Sequence, residues 1–237
     1  MRFASLYPWL YWALNPMFPD CLWAGSDALP KIALTFDDGP HSDYTPQVLN
    51  SLDQYQIKAS FFWLGCCVER SPSIARDVYQ RGHWVGLHGY HHRSFPRLPS
   101  DELKRSLLTT QKAIAEACQL TPEYVEAKVC DVRPPNGLFT PKILRQLHQW
   151  GYRSVMWSVV PEDWVRPGIA IAAKRIEQQT RNGSLIVLHD GYHGGVDAAA
   201  TVREIVPTLL NRGYQFVTID QLWQQHPLRQ IDRCDLV

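Results

Sequence analysis

Strand-like and helix-like stretches alternate along nearly the whole chain, and that alternation limits the fold more than any other feature. Short apolar runs suited to buried strands start near Lys31, Ala59, Trp84, Cys130, Tyr152, Ser184 and Tyr214. Between and after them the pattern predicts helices over 44–55, 71–81, 100–117, 140–150, 168–180, 197–212 and 219–225. The punctuation agrees. Thr140-Pro141 reads as an N-cap followed by proline at the first helical position, and Ser100 precedes the acidic turn Asp101-Glu102. Gly82, Gly151, Gly183 and Gly213 each stand between a helix and the next strand, where a left-handed cap belongs. Repeated strand–helix units give parallel strands joined by crossover helices. About seven strands, with polar residues at several strand ends, favour an α/β fold of the distorted (β/α) barrel type over an open sheet.

The strand ends carry the chemistry. After 31–36 come Asp37 and Asp38, and after 84–87 come His88 and His92. Arg133-Pro134-Pro135-Asn136-Gly137 lies at the strand near Cys130. Glu162-Asp163-Trp164 follows 152–160, and His189-Asp190-Gly191 follows 185–188. In a barrel such ends converge on one face, so distant segments can build one pocket. Alone, Asp37-Asp38-Gly39-Pro40 is a turn signal, and a histidine cluster is a solvated loop. Together they offer one carboxylate and two imidazoles for a three-ligand metal site with an open position. The second carboxylate is left beside it as a base, which is the equipment of a metal-assisted hydrolase. Spacing alone does not choose between His91 and His92 as the second histidine ligand.

Composition narrows the rest. A formal net charge of +1 and no basic tract argue against nucleic acid as partner. With no repeat or Ser/Gly linker, residues 31–237 read as one catalytic domain behind an aromatic segment at 1–30. The apolar stretch 3–14 follows Arg2, but Pro8 interrupts it and it is too short to span a bilayer. It is expected to pack on the barrel or touch a membrane surface or cell wall, with a cleaved signal as the alternative. None of the six cysteines forms a Cys-x-x-Cys pair. Adjacent Cys66-Cys67 are poorly placed to bridge each other, so free thiols and a reducing compartment are expected. A Cys21–Cys234 bridge is the alternative.

The five motifs, from about Lys31 to about Trp223, resemble the polysaccharide deacetylase family with a NodB-type homology domain, carbohydrate esterase family four. That resemblance implies a distorted barrel that removes acetyl groups from N-acetylated sugars of a chitin- or peptidoglycan-type glycan. It implies Asp37 as general base, with Asp38, His88 and His92 holding a divalent metal. The metal would be zinc, with cobalt, nickel or manganese as alternatives. Arg133 would orient the base, and the Asn136 amide would complete an oxyanion hole. His189 would be the general acid, held by Asp163, and Trp164 and Leu188 would wall the acetyl pocket. Gly89 stands where the family has a hydroxyl residue, and Val160-Pro161 replace the start of its fourth motif. Tyr90 and Tyr192, in the motif loops, are stacking candidates for sugar, whereas Trp157 is assigned to the core. His41, His83 and His193 are read as solvated loop histidines. The family also admits a cell-envelope location against the cytoplasmic one that the thiols favour, so localisation stays open. The alternatives are an amino-sugar deformylase or O-acetyl esterase on the same barrel, or a barrel that binds glycan without turnover.

Overall fold

From Ile32 to Asp37 every residue of one strand is buried, which requires cover on both faces and puts this strand at the centre of its sheet. The computed structural model describes residues 7–224. In chain order its strands are β1 (Cys21–Leu22), β2 (Lys31–Asp37), β3 (Ser60–Trp63), β4 (Trp84–Leu87), β5 (Asp131–Val132), β6 (Arg153–Val155), β7 (Leu185–His189) and β8 (Gln215–Phe216). Among the described residues the sheet order is β1-β6-β5-β4-β3-β2-β7, with β8 on the start of β2. Each of these pairings is parallel. Beyond β6 the chain crosses to β7 through an isolated parallel bridge between Val159 and Ile186. There the Val187 amide donates to the Val159 carbonyl at 3.1 Å. The strands therefore curl round on themselves as the distorted (β/α) barrel that the sequence predicts.

The helices are α1 (Tyr7–Leu14), α2 (Tyr44–Gln54), α3 (Gly65–Arg70), α4 (Pro72–Gln80), α5 (Ser100–Cys118), α6 (Pro122–Lys128), α7 (Pro141–Gln149), α8 (Ile169–Gln179), α9 (Gly195–Asn211) and α10 (Ile219–Trp223). Thr140 caps α7 by accepting from the Ile143 amide. The four interelement glycines all have positive φ. At Gly183 space is limiting too, because a Cβ would lie 2.5 Å from the Gly25 carbonyl oxygen. Ser100 differs from expectation. It is the first residue of α5, behind Pro99, and its hydroxyl accepts from Gln146 instead of capping. β1, α3 and α6 are too short to leave a periodic signal.

Alternation along the strands makes two layers. Ile32, Leu34 and Phe36 of β2 join Ile186 and Leu188 of β7 in the larger core, with Val48 and Leu52 of α2 and Val202 and Ile205 of α9. Phe36 and Phe61 stack there at 5.0 Å. Truncating either ring to alanine would cost about 3–5 kcal/mol. The inner layer holds Ala33, Phe62, Leu185, Leu22 and Val155. On the inner face of β2 and β7, Asp37 and His189 follow at the barrel mouth. His83 is not a solvated loop residue. It is buried, its Nδ1 accepts from the Ala59 amide, and burial pushes its pKa down to about 4.

Tyr11 and Leu14 of α1, with Phe18, pack on Cys21, Trp23 and Met156. Trp9 and Trp12 stay 73% and 71% exposed. No helix among the described residues is long and apolar enough to cross a membrane. Cys234, and with it the Cys21–Cys234 pairing, lies outside the described residues.

Candidate active site

β2 delivers Asp37 at its last position, and the chain then turns through Asp38 at φ 74°, a left-handed conformation that Asp tolerates. Gly191 packs so closely behind this turn that a Cβ there would sit 2.5 Å from the Asp38 Cβ. The two carboxylates take separate environments. Arg133 Nη1 donates to Asp37 Oδ1 at 2.6 Å and to Thr35 Oγ1 at 2.8 Å, and Nη2 donates to the Met156 carbonyl at 2.8 Å. The guanidinium also stands 4.1 Å from the Phe62 ring centroid. Burial by itself would raise the Asp37 carboxyl. Arg133, helped by His88 and His189, outweighs burial and holds it below the ordinary carboxylate value.

Asp38 faces the histidines. His88 Nε2 and His92 Nε2 each lie 3.5 Å from Asp38 Oδ1. One ligand atom from each of the three residues falls within a 4.8 Å cluster. His88 Nδ1 lies 2.7 Å from the Arg133 carbonyl, which only accepts, so the ring proton sits on Nδ1 and the Nε2 lone pair is free. Burial also pushes the His88 pKa down, so the ring is neutral as a ligand must be. Asp38 Oδ1 is buried without a hydrogen-bond partner. An orphaned carboxylate oxygen beside an oriented imidazole lone pair fits a divalent cation.

The third group lies across the cavity. His189 Nδ1 meets Asp163 Oδ1 at 2.9 Å, and the His189 amide donates to Asp163 Oδ2 at 2.7 Å. Burial opposes the imidazolium. Asp163 outweighs it by charge and hydrogen bond, with Asp38 and Asp37 adding, and the pKa is pushed up to about 10. Trp164 lies edge-on to His189 at 5.3 Å. Asp190, next in the chain, turns away and accepts from Thr45 at 2.5 Å.

Asp37, Asp38, His88, His92 and His189 all line one cavity of about 340 Å3. Asn136, at φ 59°, and Trp164 line it as well. Leu188 does not. Side chains alternate along a strand, so Val187, two residues before His189, shares its face, while Leu188 points into the outer core. Tyr90 turns toward α3 and donates to Glu69 at 2.8 Å, outside the cavity. Tyr192, 81% exposed, borders a neighbouring cavity. Trp157 and His193, read as core and solvated loop, both line this same cavity. So does Tyr7 of α1, whose ring meets Trp157 at 5.5 Å and Trp164 at 6.2 Å. Period-two counting finds Val187, but no sequence signal points to Tyr7.

The family profile for polysaccharide deacetylase matches residues 25–155. A peptidoglycan-N-acetylglucosamine deacetylase of Bacillus cereus is 33% identical over 193 residues, 81% of this chain and 87% of that protein. The chain belongs to the polysaccharide deacetylase family. A chitooligosaccharide deacetylase of Bradyrhizobium is 34% identical over 204 residues, covering 81% and 90% of the two chains. Among solved structures, the Bc1960 peptidoglycan N-acetylglucosamine deacetylase superposes with a TM-score of 0.81 at 26% identity, covering 87% of this chain and 94% of that one. This polysaccharide deacetylase is thus a hydrolase of carbohydrate esterase family four by fold and by sequence.

Proposed function

We propose that the protein removes acetyl groups from N-acetylglucosamine residues of a peptidoglycan- or chitooligosaccharide-type glycan, with zinc at Asp38, His88 and His92. One observation carries this reading. A cation-shaped ligand set, a carboxylate held ionised by Arg133 and an imidazolium held by Asp163 open into the same cavity. The relatives named above act on such acetamides by their names.

A divalent cation held by Asp38, His88 and His92 would polarise the acetyl carbonyl and lower the pKa of the attacking water. Asp37 takes the proton of that water, and Arg133 aims the carboxylate while keeping it ionised. The backbone amide of Asn136, a cavity-lining residue in a left-handed turn, would donate to the carbonyl oxygen as negative charge builds. His189 delivers its Nε2 proton to the departing sugar nitrogen, and Asp163 holds the ring through Nδ1. Trp164 and Val187 exclude water from the acetyl methyl.

The deciding experiment measures acetate release from N-acetylglucosamine oligomers and from peptidoglycan. It compares metal-stripped protein, zinc-reloaded protein and Asp37→Asn. Zinc should restore release, and Asp37→Asn should lose roughly 10³-fold in kcat while keeping its zinc, because Asp37 is outside the ligand set. Zinc bound without release from either glycan would sink the proposal.

A further inference from the structure

The first turn of α3 grips the metal-loop backbone. The Gly65 amide donates to the Gly89 carbonyl and the Cys66 amide to the Tyr90 carbonyl, both at 3.0 Å. These carbonyls lie between His88 and His92 in the chain. The fit is tight, since a Cβ at Gly65 would come within 2.6 Å of the Tyr90 ring and 2.7 Å of Thr110 Oγ1. Two thiols stand on this turn. Arg70, one turn later, donates from Nε to the Cys66 carbonyl at 3.1 Å. Its Nη2 lies 3.0 Å from Cys67 Sγ and 3.9 Å from Cys66 Sγ.

The neighbours of Cys66 on α3 are Cys67, Arg70 and Glu69. The metal loop brings His91, within hydrogen-bonding reach of the sulfur, and Tyr90, whose hydroxyl is spent on Glu69. From α5 come the uncharged hydroxyls of Thr110, against Gly65, and Ser106, on the Tyr90 amide. The hydrogen bond from Cys67 does most to stabilise the Cys66 thiolate. Burial opposes it, His91 and Arg70 assist, and the Cys66 pKa falls to about 5. Cys67 is pushed up by its hydrogen bond to Cys66 and by burial. The pair shares one proton under the Arg70 charge, which reaches both sulfurs, and Cys66 is the one of the two that solvent reaches. Cys66 is half-buried and reachable. Cys67 beneath it lines a cavity of about 400 Å3 that also reaches Asp38 and His92.

We propose that Cys66 is a modification site that accepts a low-molecular-weight disulfide, and that the adduct loosens the loop carrying His88 and His92. The Cys66 thiolate attacks one sulfur of the disulfide, whose S–S bond breaks. Half of the reagent stays joined to Cys66, and the other half leaves as a thiolate with the electron pair. The small disulfide is the oxidant. Cys67 is badly placed to resolve the adduct, because consecutive Cα atoms are about 3.8 Å apart and a disulfide needs about 4.4–6.8 Å. The adduct therefore persists until an external thiol removes it. It cancels the charge facing Arg70 and adds bulk on the turn that holds the Gly89 and Tyr90 carbonyls.

The test uses the zinc-loaded full chain and 5,5′-dithiobis(2-nitrobenzoate), following chromophore release and intact mass. One fast equivalent should add with a rate constant flat from pH 6 to pH 8, where an ordinary thiol's would rise roughly seventyfold. Cys66→Ser and Cys66→Ala should each lose that equivalent. Arg70→Gln should slow it at pH 6 by severalfold. Zinc transfer to a chelator should quicken at least tenfold in the adduct, return to normal with excess thiol, and stay unchanged in Cys66→Ser treated alike. A fast equivalent that survives in both Cys66 variants, or a rate that climbs with pH like a free thiol's, overturns the site. An adduct with unaltered zinc transfer overturns the coupling to the loop. The thiol measurement needs no turnover, so its failure is separate from failure of the deacetylase reading.

Discussion

The Asp37 side and the His189 side of the cavity solve one problem with opposite partners. Asp37 and His189 are both buried, and burial pushes each toward its neutral form. Arg133 reverses that for the carboxylate and Asp163 reverses it for the imidazole. Partner charge, not burial, sets the two protonation states, so a carboxylate and an imidazolium coexist at one pH. Their foundations differ as well. Asp37 ends a central strand, and Arg133 is fixed by Thr35 and the Met156 carbonyl at neighbouring strand ends. Asp163 sits on a short 3-10 turn flanked by Glu162 at φ 58° and Arg166 at φ 50°. Two left-handed non-glycine residues cost about 1–3 kcal/mol each, and Arg175 steadies the turn by donating to Glu162 at 3.1 Å. Left-handed residues occur on the other side as well, at Asp38 (φ 74°) and Asn136 (φ 59°).

Substitutions can separate the two sides. His189→Ala should lower kcat by roughly 10²–10⁴-fold with zinc content unchanged, measured on the N-acetylglucosamine oligomer. Asp163→Asn should cost roughly 10²-fold and change the pH profile. On the proposed mechanism activity needs His189 protonated, so it should fail as pH rises through the His189 pKa, about 10 before any cation opposes the Asp38 share. Without the Asp163 charge burial dominates, and this alkaline limb should drop toward neutral pH or below. A limb that stays put would mean that Asp163 positions the ring without charging it. Arg133→Met acts on the other limb. On the proposed mechanism activity needs Asp37 ionised and should fail as pH falls through its pKa, which lies below the ordinary carboxylate value. Removing Arg133 should move that acid limb upward and cost about 3–5 kcal/mol in urea unfolding, because a buried charge loses its partner. The smallest effect is expected at Tyr7, which touches the aromatic wall and neither proton-transfer group. Tyr7→Ala should raise KM severalfold with kcat nearly unchanged, and an equal fall in kcat would place Tyr7 closer to the reacting atoms.

Much was determined by the sequence alone. Strand–helix alternation, with glycine at the joints, dictates parallel strands because a crossover helix can return the chain only in that sense. Polar residues placed after each apolar run then converge, so Asp37, Asp38, His88, Arg133, Asp163 and His189 stand out in the sequence, whereas the family resemblance selects His92 over His91. Other features were decided only by tertiary packing. His83 looks like a loop histidine until β3 and the helices bury it. Tyr7 comes from a segment with no motif and reaches the cavity because Tyr11 and Leu14 anchor α1 on the Trp23 cluster. The Cys66 thiolate likewise depends on Arg70, one helical turn away, and on His91 from a different loop. Local pattern records which face a residue prefers and where the chain turns. The charges and walls that tune a reactive group come from segments far apart in sequence, and only the folded chain brings them within a few ångströms.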